Sequence, residues 1–173
     1  MARAAPSSSN GDAAGRFERL YRTCYHDLLG YALRRTDQPE AAADVVADVF
    51  LVAWRRINEI PPEQARAWLF GVARKVMANH HRADRRWTDL AARLRQELSQ
   101  VTTVAPEVPD DIRRAFRTLA EADQELLRLV AWEGLTADEL AVTLECTANA
   151  ARIRLHRARR RFAQALREPS FNR

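Results

Sequence analysis

The spacing of apolar side chains constrains this chain more than any other feature. They recur every three or four positions in successive stretches, and no stretch shows the every-second alternation of a strand. In the first stretch Phe17, Leu20, Tyr21, Cys24, Leu28 and Tyr31 share one helical face. In the second, about residues 39–58, Val46, Val49, Phe50, Ala53, Trp54 and Ile57 form one stripe. It stops at Glu59-Ile60-Pro61-Pro62, because proline cannot continue a helix and restricts the residue before it. The third, about residues 63–86, turns Ala65, Trp68, Leu69, Val72, Ala73 and Val76 inward. Three amphipathic helices with short connections predict a small bundle over residues 16–87. Residues 1–15 lack the apolar core of a secretory signal and read as a short disordered tail.

Beyond Trp87 the pattern weakens. Leu90, Leu94 and Leu98 extend it for a few turns, and VTTVAPEVPD then carries no period at all. Residues 88–110 read as a flexible linker. A second domain follows over residues 111–168. Ile112, Phe116 and Leu119 start one helix, and Leu126, Leu127 and Val130 give the next its apolar side, with Gly134 as its C-terminal stop. Thr136 and Glu139 have the spacing of a capping box, which begins a short helix over residues 137–144 that buries Leu140 and Ala141. Glu145 and Cys146 make a turn, and Thr147 caps a last helix that runs to about Arg167. The fold class is therefore all-α: two small helical domains on a flexible linker, the C-terminal one a helix-turn-helix.

The last helix is the most informative. At about 100° per residue, Ala151, Leu155, Ala158 and Phe162 gather on one side. Asn149, Ile153, His156 and Arg160 lie opposite, flanked by Arg152 and Arg157. Residues 147–167 hold seven arginines and no acid. A solvated helix ordinarily mixes signs to gain i,i+4 pairs. A short capped helix, a turn and a longer basic helix are the parts of a DNA reader whose second helix enters the major groove. Its N-terminal half, with Thr147, Asn149, Arg152, Ile153 and His156, falls near base edges, and Arg157, Arg159, Arg160 and Arg161, further along, fall near phosphates.

Composition agrees. The net charge is +5, and of 28 basic residues only Lys75 is a lysine. The arginine fork suits phosphates and base edges better than a point charge does. The two cysteines, Cys24 and Cys146, have no CxxC partner, so neither a disulfide scaffold nor a zinc cluster is expected. No apolar run nears the roughly 20 residues of a membrane span. His80 and His81 are neighbours whose side chains diverge by about 100°, which does not suit one metal ion. No cofactor, metal, catalytic carboxylate pair or phosphate-binding glycine loop is expected. From these residues alone a stand-alone helix-turn-helix regulator remains open, as does a helical metal enzyme built on His26, His80 and His81.

The stretch GLTADELAVTLECTANAARIRLHRARRRFAQAL resembles the promoter −35 reading helix-turn-helix of bacterial sigma factors. DVVADVFLVAWRRI, followed by RAWLFGVARKVMANHHR, resembles their core-binding and −10 reading segment. Both segments in this order, with a short linker, resemble the extracytoplasmic-function (ECF) group of the sigma-70 family. The resemblance implies a non-enzymatic, cytoplasmic protein that binds core RNA polymerase and promoter DNA. Asp44, Asp48, Leu51, Val52 and Arg55 would meet the clamp coiled coil of the β′ subunit, while Val49, Phe50 and Trp54 face the core. The second domain would meet the β flap. Residues 58–64 would form the loop that captures an unstacked −10 base, through Asn58, Glu59 and Gln64. Arg66, Arg74, Lys75, Asn79 and Arg82 would track the single strand. Thr147, Asn149, Arg152, Ile153, His156, Arg157 and Arg160 would read or hold the −35 element. The linker would thread the polymerase near its active-site cleft. An anti-sigma protein is an expected partner, and membrane insertion is not. Two positions depart from the family pattern: Glu145 stands in a turn that often has glycine, and Ile153 where a small polar residue is usual.

Overall fold

The computed structural model describes residues 8–91 and 109–167, with side chains described over 12–80 and 109–167. The chain divides into two compact units between Arg86 and Trp87. Among the described residues there are helices and turns but no strand.

The first unit is built from α1 (Ser8–Leu33), α2 (Pro39–Arg55) and α3 (Ala65–Ala91), with two short 3₁₀ turns, Ile57–Glu59 and Pro62–Gln64, between α2 and α3. Pro39 occupies the first turn of α2, where its missing N–H costs nothing. Leu28, Tyr31, Val45, Val49, Leu69 and Phe70 are each at most 2% exposed and form the core. The Tyr31 and Phe70 rings meet at 5.5 Å, and the Arg35 guanidinium lies 3.7 Å from the Tyr31 ring centre. A second aromatic group joins α1 to α2. Phe17 packs edge-on against Phe50 at 6.0 Å and Trp54 at 5.2 Å, and Tyr21 meets Phe50 at 4.7 Å.

Four sequence expectations change here. Helix α2, read to about residue 58, ends at Arg55, and the 3₁₀ turn Ile57–Glu59 follows it. Helix α1 begins at Ser8, inside the stretch read as a disordered tail, and Ala13 is buried. Ala13, Phe17 and Leu20 continue the inward stripe one turn earlier than the larger apolar residues signal. Trp54, expected in the core, is 43% exposed, because it lies one helical step off the Val46-Val49-Phe50-Ala53 stripe and only leans on Phe17. Helix α3 continues to Ala91, so the first four residues read as linker are helical, while 92–108 lie outside the described residues.

The second unit contains α4 (Asp110–Thr118), α5 (Glu121–Ala131), α6 (Ala137–Thr143) and α7 (Ala148–Arg167). Helix α7 packs against the other three. Its Ala151 and Ala158 have no exposed surface, Leu155 is buried, and Phe162 meets Phe116 edge-on at 6.0 Å. On α5 the buried pair is Leu126 and Leu129, with Leu127 and Val130 only half-buried. The capping box of α6 is formed: the Glu139 N–H donates to Thr136 Oγ1 at 3.2 Å, and the Thr136 N–H donates to Glu139 Oε2 at 2.8 Å. After α6 the chain turns through a Schellman arrangement in which the Cys146 N–H donates to the Ala141 carbonyl and the Glu145 N–H to that of Val142. The residue that takes the left-handed conformation is Glu145 itself, at φ 51°. Thr147 then caps α7, its Oγ1 accepting from the Ala150 N–H at 3.2 Å.

Two measurements follow from these backbones and burials. Gly134 has φ +66°, and a Cβ there would meet nothing within 4 Å. Gly134→Ala should therefore destabilise the second domain by about 1–2 kcal/mol through backbone conformation alone, and Glu145→Gly should shift the same denaturation midpoint the other way. In the first domain, burial pushes the Cys24 thiol above its ordinary value, Asp27 adds to the rise and Arg66 opposes it. The stability this contributes is whole below the ordinary thiol range and is lost as pH rises through it toward the raised folded value. Chemical denaturation at about pH 8 and about pH 10 should show that loss, and Cys24→Ala should reduce it. An identical pH slope in the variant would contradict the assignment.

Candidate nucleic-acid interface

On α7 the buried stripe fixes what the opposite side must show. Once Ala151, Leu155 and Ala158 face inward, Asn149, Arg152, Ile153, His156, Arg157 and Arg160 are all exposed, Ile153 to 42%. The expected reading side chains thus occupy one solvent face, with Thr147 at its N-terminal end. They differ in what holds them. The Arg152 Nη2 donates to Asp138 Oδ1 at 2.9 Å, tying α7 to the first turn of α6. Arg161, expected near phosphates, instead donates to Asp123 of α5 at 2.7 Å, and that carboxylate is only 13% exposed, so Arg161 serves the fold. Arg154, Arg157, Arg159 and Arg160 form no ion pair among the described residues. Cations without local acids project a positive potential into water, which draws a polyanion.

In the first domain the segment between α2 and α3 is pinned rather than loose. Ile57 and Ile60 are buried, and the Ile60 carbonyl accepts from Arg16 Nη2 at 3.1 Å. Between these anchors Asn58, Glu59 and Gln64 are exposed. Glu59 is engaged by Arg56 at 2.6 Å, and the Arg56 guanidinium lies 5.4 Å from the half-buried Trp68 ring. Asn58 and Gln64 are thereby presented on a rigid connection. On its α1 side the segment borders an open groove of about 480 Å³, lined by Arg16, Arg19, Leu20, Ile57, Ile60 and Arg66.

Along α3, Lys75 and Asn79 are exposed and Arg74 is half-buried. Arg66, expected on the strand-tracking face, is tied within the domain: its Nε donates to Asp27 Oδ2 of α1 at 2.7 Å, and its guanidinium lies 5.0 Å from the Phe70 ring. The Arg82 side chain lies outside the described residues, as does that of His81. His80 pairs with Asp48 of α2 at 3.0 Å, and His26 packs edge-on against Tyr25, so these two histidines stand in separate surroundings.

On α2 the expected polymerase-contact residues share the outer side. Asp44, Asp48, Leu51 and Arg55 are exposed, and Val52 is half-buried. Leu51, at 47%, adjoins the exposed Trp54, and Tyr21 of α1 is 41% exposed. Sequence reasoning missed Asp27, Arg16, Arg56 and Asp138. Each acts on a partner in another element or another turn, and only Arg56–Glu59, three residues apart, carried a local signal.

Two family profiles match the chain, together covering more than half of it. Sigma-70 region 2 matches residues 20–88, and sigma-70 region 4 matches residues 110–162. The RNA polymerase sigma factor YlaC of Bacillus subtilis is 28% identical over 150 residues, which is 82% of this chain and 87% of that protein. The ECF RNA polymerase sigma factor SigL of Mycobacterium tuberculosis is 29% identical over 174 aligned residues, 90% of this chain and 94% of that one. Among solved structures, the sigma factor RpoE of Bartonella quintana, determined in complex with the anti-sigma factor NepR, has a similar fold at a TM-score of 0.63 and 21% identity, covering 87% of this chain and 96% of that one. The two matched regions, in this order along one chain, place the protein in the sigma-70 family, within its extracytoplasmic-function group.

Proposed function

We propose that this protein confers promoter specificity on core RNA polymerase, its first domain engaging the melted −10 region and its second the duplex −35 element. The observation that carries this reading is the exposed side of α7: a helix-turn-helix whose longer helix presents Arg157 and Arg160 without acid partners among the described residues, beside Asn149, Arg152, Ile153 and His156. Arg152 suits a guanine edge, and Ile153 suits a thymine methyl. Arg157 and Arg160, further along, suit phosphates.

In the first domain, Asn58 and Gln64 offer hydrogen bonds to an unstacked base from a connection stiffened by two prolines and two buried isoleucines. Lys75 and Asn79, with Arg74 and Arg82, lie along the helix that would follow the displaced strand. Arg66 contributes there through its hold on Asp27. Asp44, Leu51, Val52 and Arg55, with Asp48, form the side of α2 offered to the β′ clamp coiled coil, and the second domain is offered to the β flap. The protein works as a binding subunit and not as an enzyme, and it acts in the cytoplasm, where its polymerase is. No helix among the described residues is long and apolar enough to cross a membrane. An anti-sigma protein is a fitting partner, since the Bartonella relative in fold was captured with one and Tyr21, Leu51 and Trp54 leave apolar surface exposed in the first domain.

The test is run-off transcription with core polymerase on templates selected from a randomised promoter library. The full chain should start transcription at selected templates that core polymerase alone ignores. Arg152→Ala should cost about 1–3 kcal/mol of discrimination at one base pair. Arg160→Ala should weaken binding at every sequence and reduce the salt slope by about one. Normal transcription of every promoter by both variants would contradict the reading of α7.

A further inference from the structure

Among the described residues, the acid that holds Arg152 is placed unlike any other near the exposed side of α7. Residues 147–167 contain no acid, so a carboxylate facing an α7 arginine must come from outside that stretch. Among the described residues two do so. Asp123 takes Arg161, away from the reading residues, and is itself mostly buried. Asp138 takes Arg152, and both partners are open to solvent, at 76% and 59% side-chain exposure. An ion pair this exposed contributes little to stability. Asp138 also sits in the first turn of α6, where any acid is favoured by the helix N-terminus and needs no partner. Neither effect accounts for a bond to the one arginine positioned to meet base edges.

We propose that Asp138 is a positioning residue for Arg152 and so a determinant of −35 sequence selectivity; the inference rests on the reading of α7 as the base-reading helix. The chemistry is straightforward. Each terminal guanidinium nitrogen carries two hydrogens. The Nη2–Asp138 bond uses one of them and leaves the remaining donors free to face a guanine edge bidentately. Holding the guanidinium before DNA arrives removes part of the side-chain freedom that Arg152 would otherwise lose on binding. The carboxylate also has a discriminating effect of its own. Arg152 that is not satisfied by a base cannot swing freely to a phosphate without abandoning Asp138, and Asp138 itself repels phosphates. Wrong sequences are therefore penalised by an unmet arginine that Asp138 keeps from a compensating phosphate contact.

The experiment uses the full chain with core polymerase and duplexes carrying a randomised −35 element. The readout is the preference for the best duplex over its single-base variants and over a mixed-sequence duplex. Because preference is a ratio within one protein sample, loss of active protein cancels. Asp138→Asn should lower the preference at the base pair read by Arg152 about fivefold or more, while binding to the mixed-sequence duplex holds or rises. In an Arg152→Ala background the same substitution should change that preference no further. Asp138→Glu should recover it at least in part. The proposal is overturned if Asp138→Asn keeps the wild-type preference while Arg152→Ala loses it, or if Asp138→Asn lowers preference equally in both backgrounds. If Arg152→Ala itself keeps the wild-type preference, the reading of α7 fails and the role of Asp138 goes with it.

Discussion

Helix α7 can bury only one side, and the side it buries decides what the second domain can do. Ala151, Leu155, Ala158 and Phe162 are the only run of apolar positions at helical spacing that α4, α5 and α6 can cover. Two of the four are alanines, which lets the neighbouring helices approach closely. Rotating α7 by one residue would carry an arginine into that contact, at the cost of an unpaired buried charge. The rotation of the helix is thus set by apolar packing, and the direction of the arginines follows from it. Thr147 and the Schellman turn before it set where the helix begins. The strained backbone at Glu145 belongs to the same device, since it lets α6 end and α7 start within four residues.

The first domain applies the same logic to a loop. A connection meant to present polar groups to a partner must be held from behind, and Ile57, Ile60 and the Arg16 bond to the Ile60 carbonyl do so. What remains outside is short and polar, Asn58 and Gln64 among it. Beside it α2 keeps an inward stripe of alanines, valines and Phe50 and an outer side of Asp44, Asp48, Leu51 and Arg55. Asp48 is linked to α3 through His80, so the side expected to meet polymerase and the helix expected to meet DNA share one hydrogen bond.

Much of this was legible in the sequence, and the physical reason is range. The capping box of Thr136 and Glu139, the Thr147 cap and the buried stripe of α7 are local patterns, and each appears in the structure as the spacing implies. The proline pair marks the end of the helical stretch for the same reason, although α2 itself closes at Arg55 and the 3₁₀ turn Ile57–Glu59 fills the gap. What escaped was long-range or marginal. Asp27–Arg66 and Arg16–Ile60 join residues 39 and 44 apart, and no spacing announces them. Ser8–Gly15 looked like a tail because Ser, Asn and Gly carry weak helix propensity, yet Ala13 finds burial that a single-residue scale does not weigh. Trp54 was drawn inward by its size, when its helical angle put it at the edge. At Glu145 the absence of glycine signalled a departure, but only the fold shows that the glutamate itself takes the left-handed conformation.

The most direct measurement of where α7 goes is site-directed DNA cleavage. An iron chelate attached at a cysteine replacing His156, with Cys146 changed to serine, would be assembled with core polymerase on a selected promoter. Cuts confined to one groove of the −35 element are expected. Cuts scattered along the duplex, or none near it, would contradict the placement of the arginine face on promoter DNA.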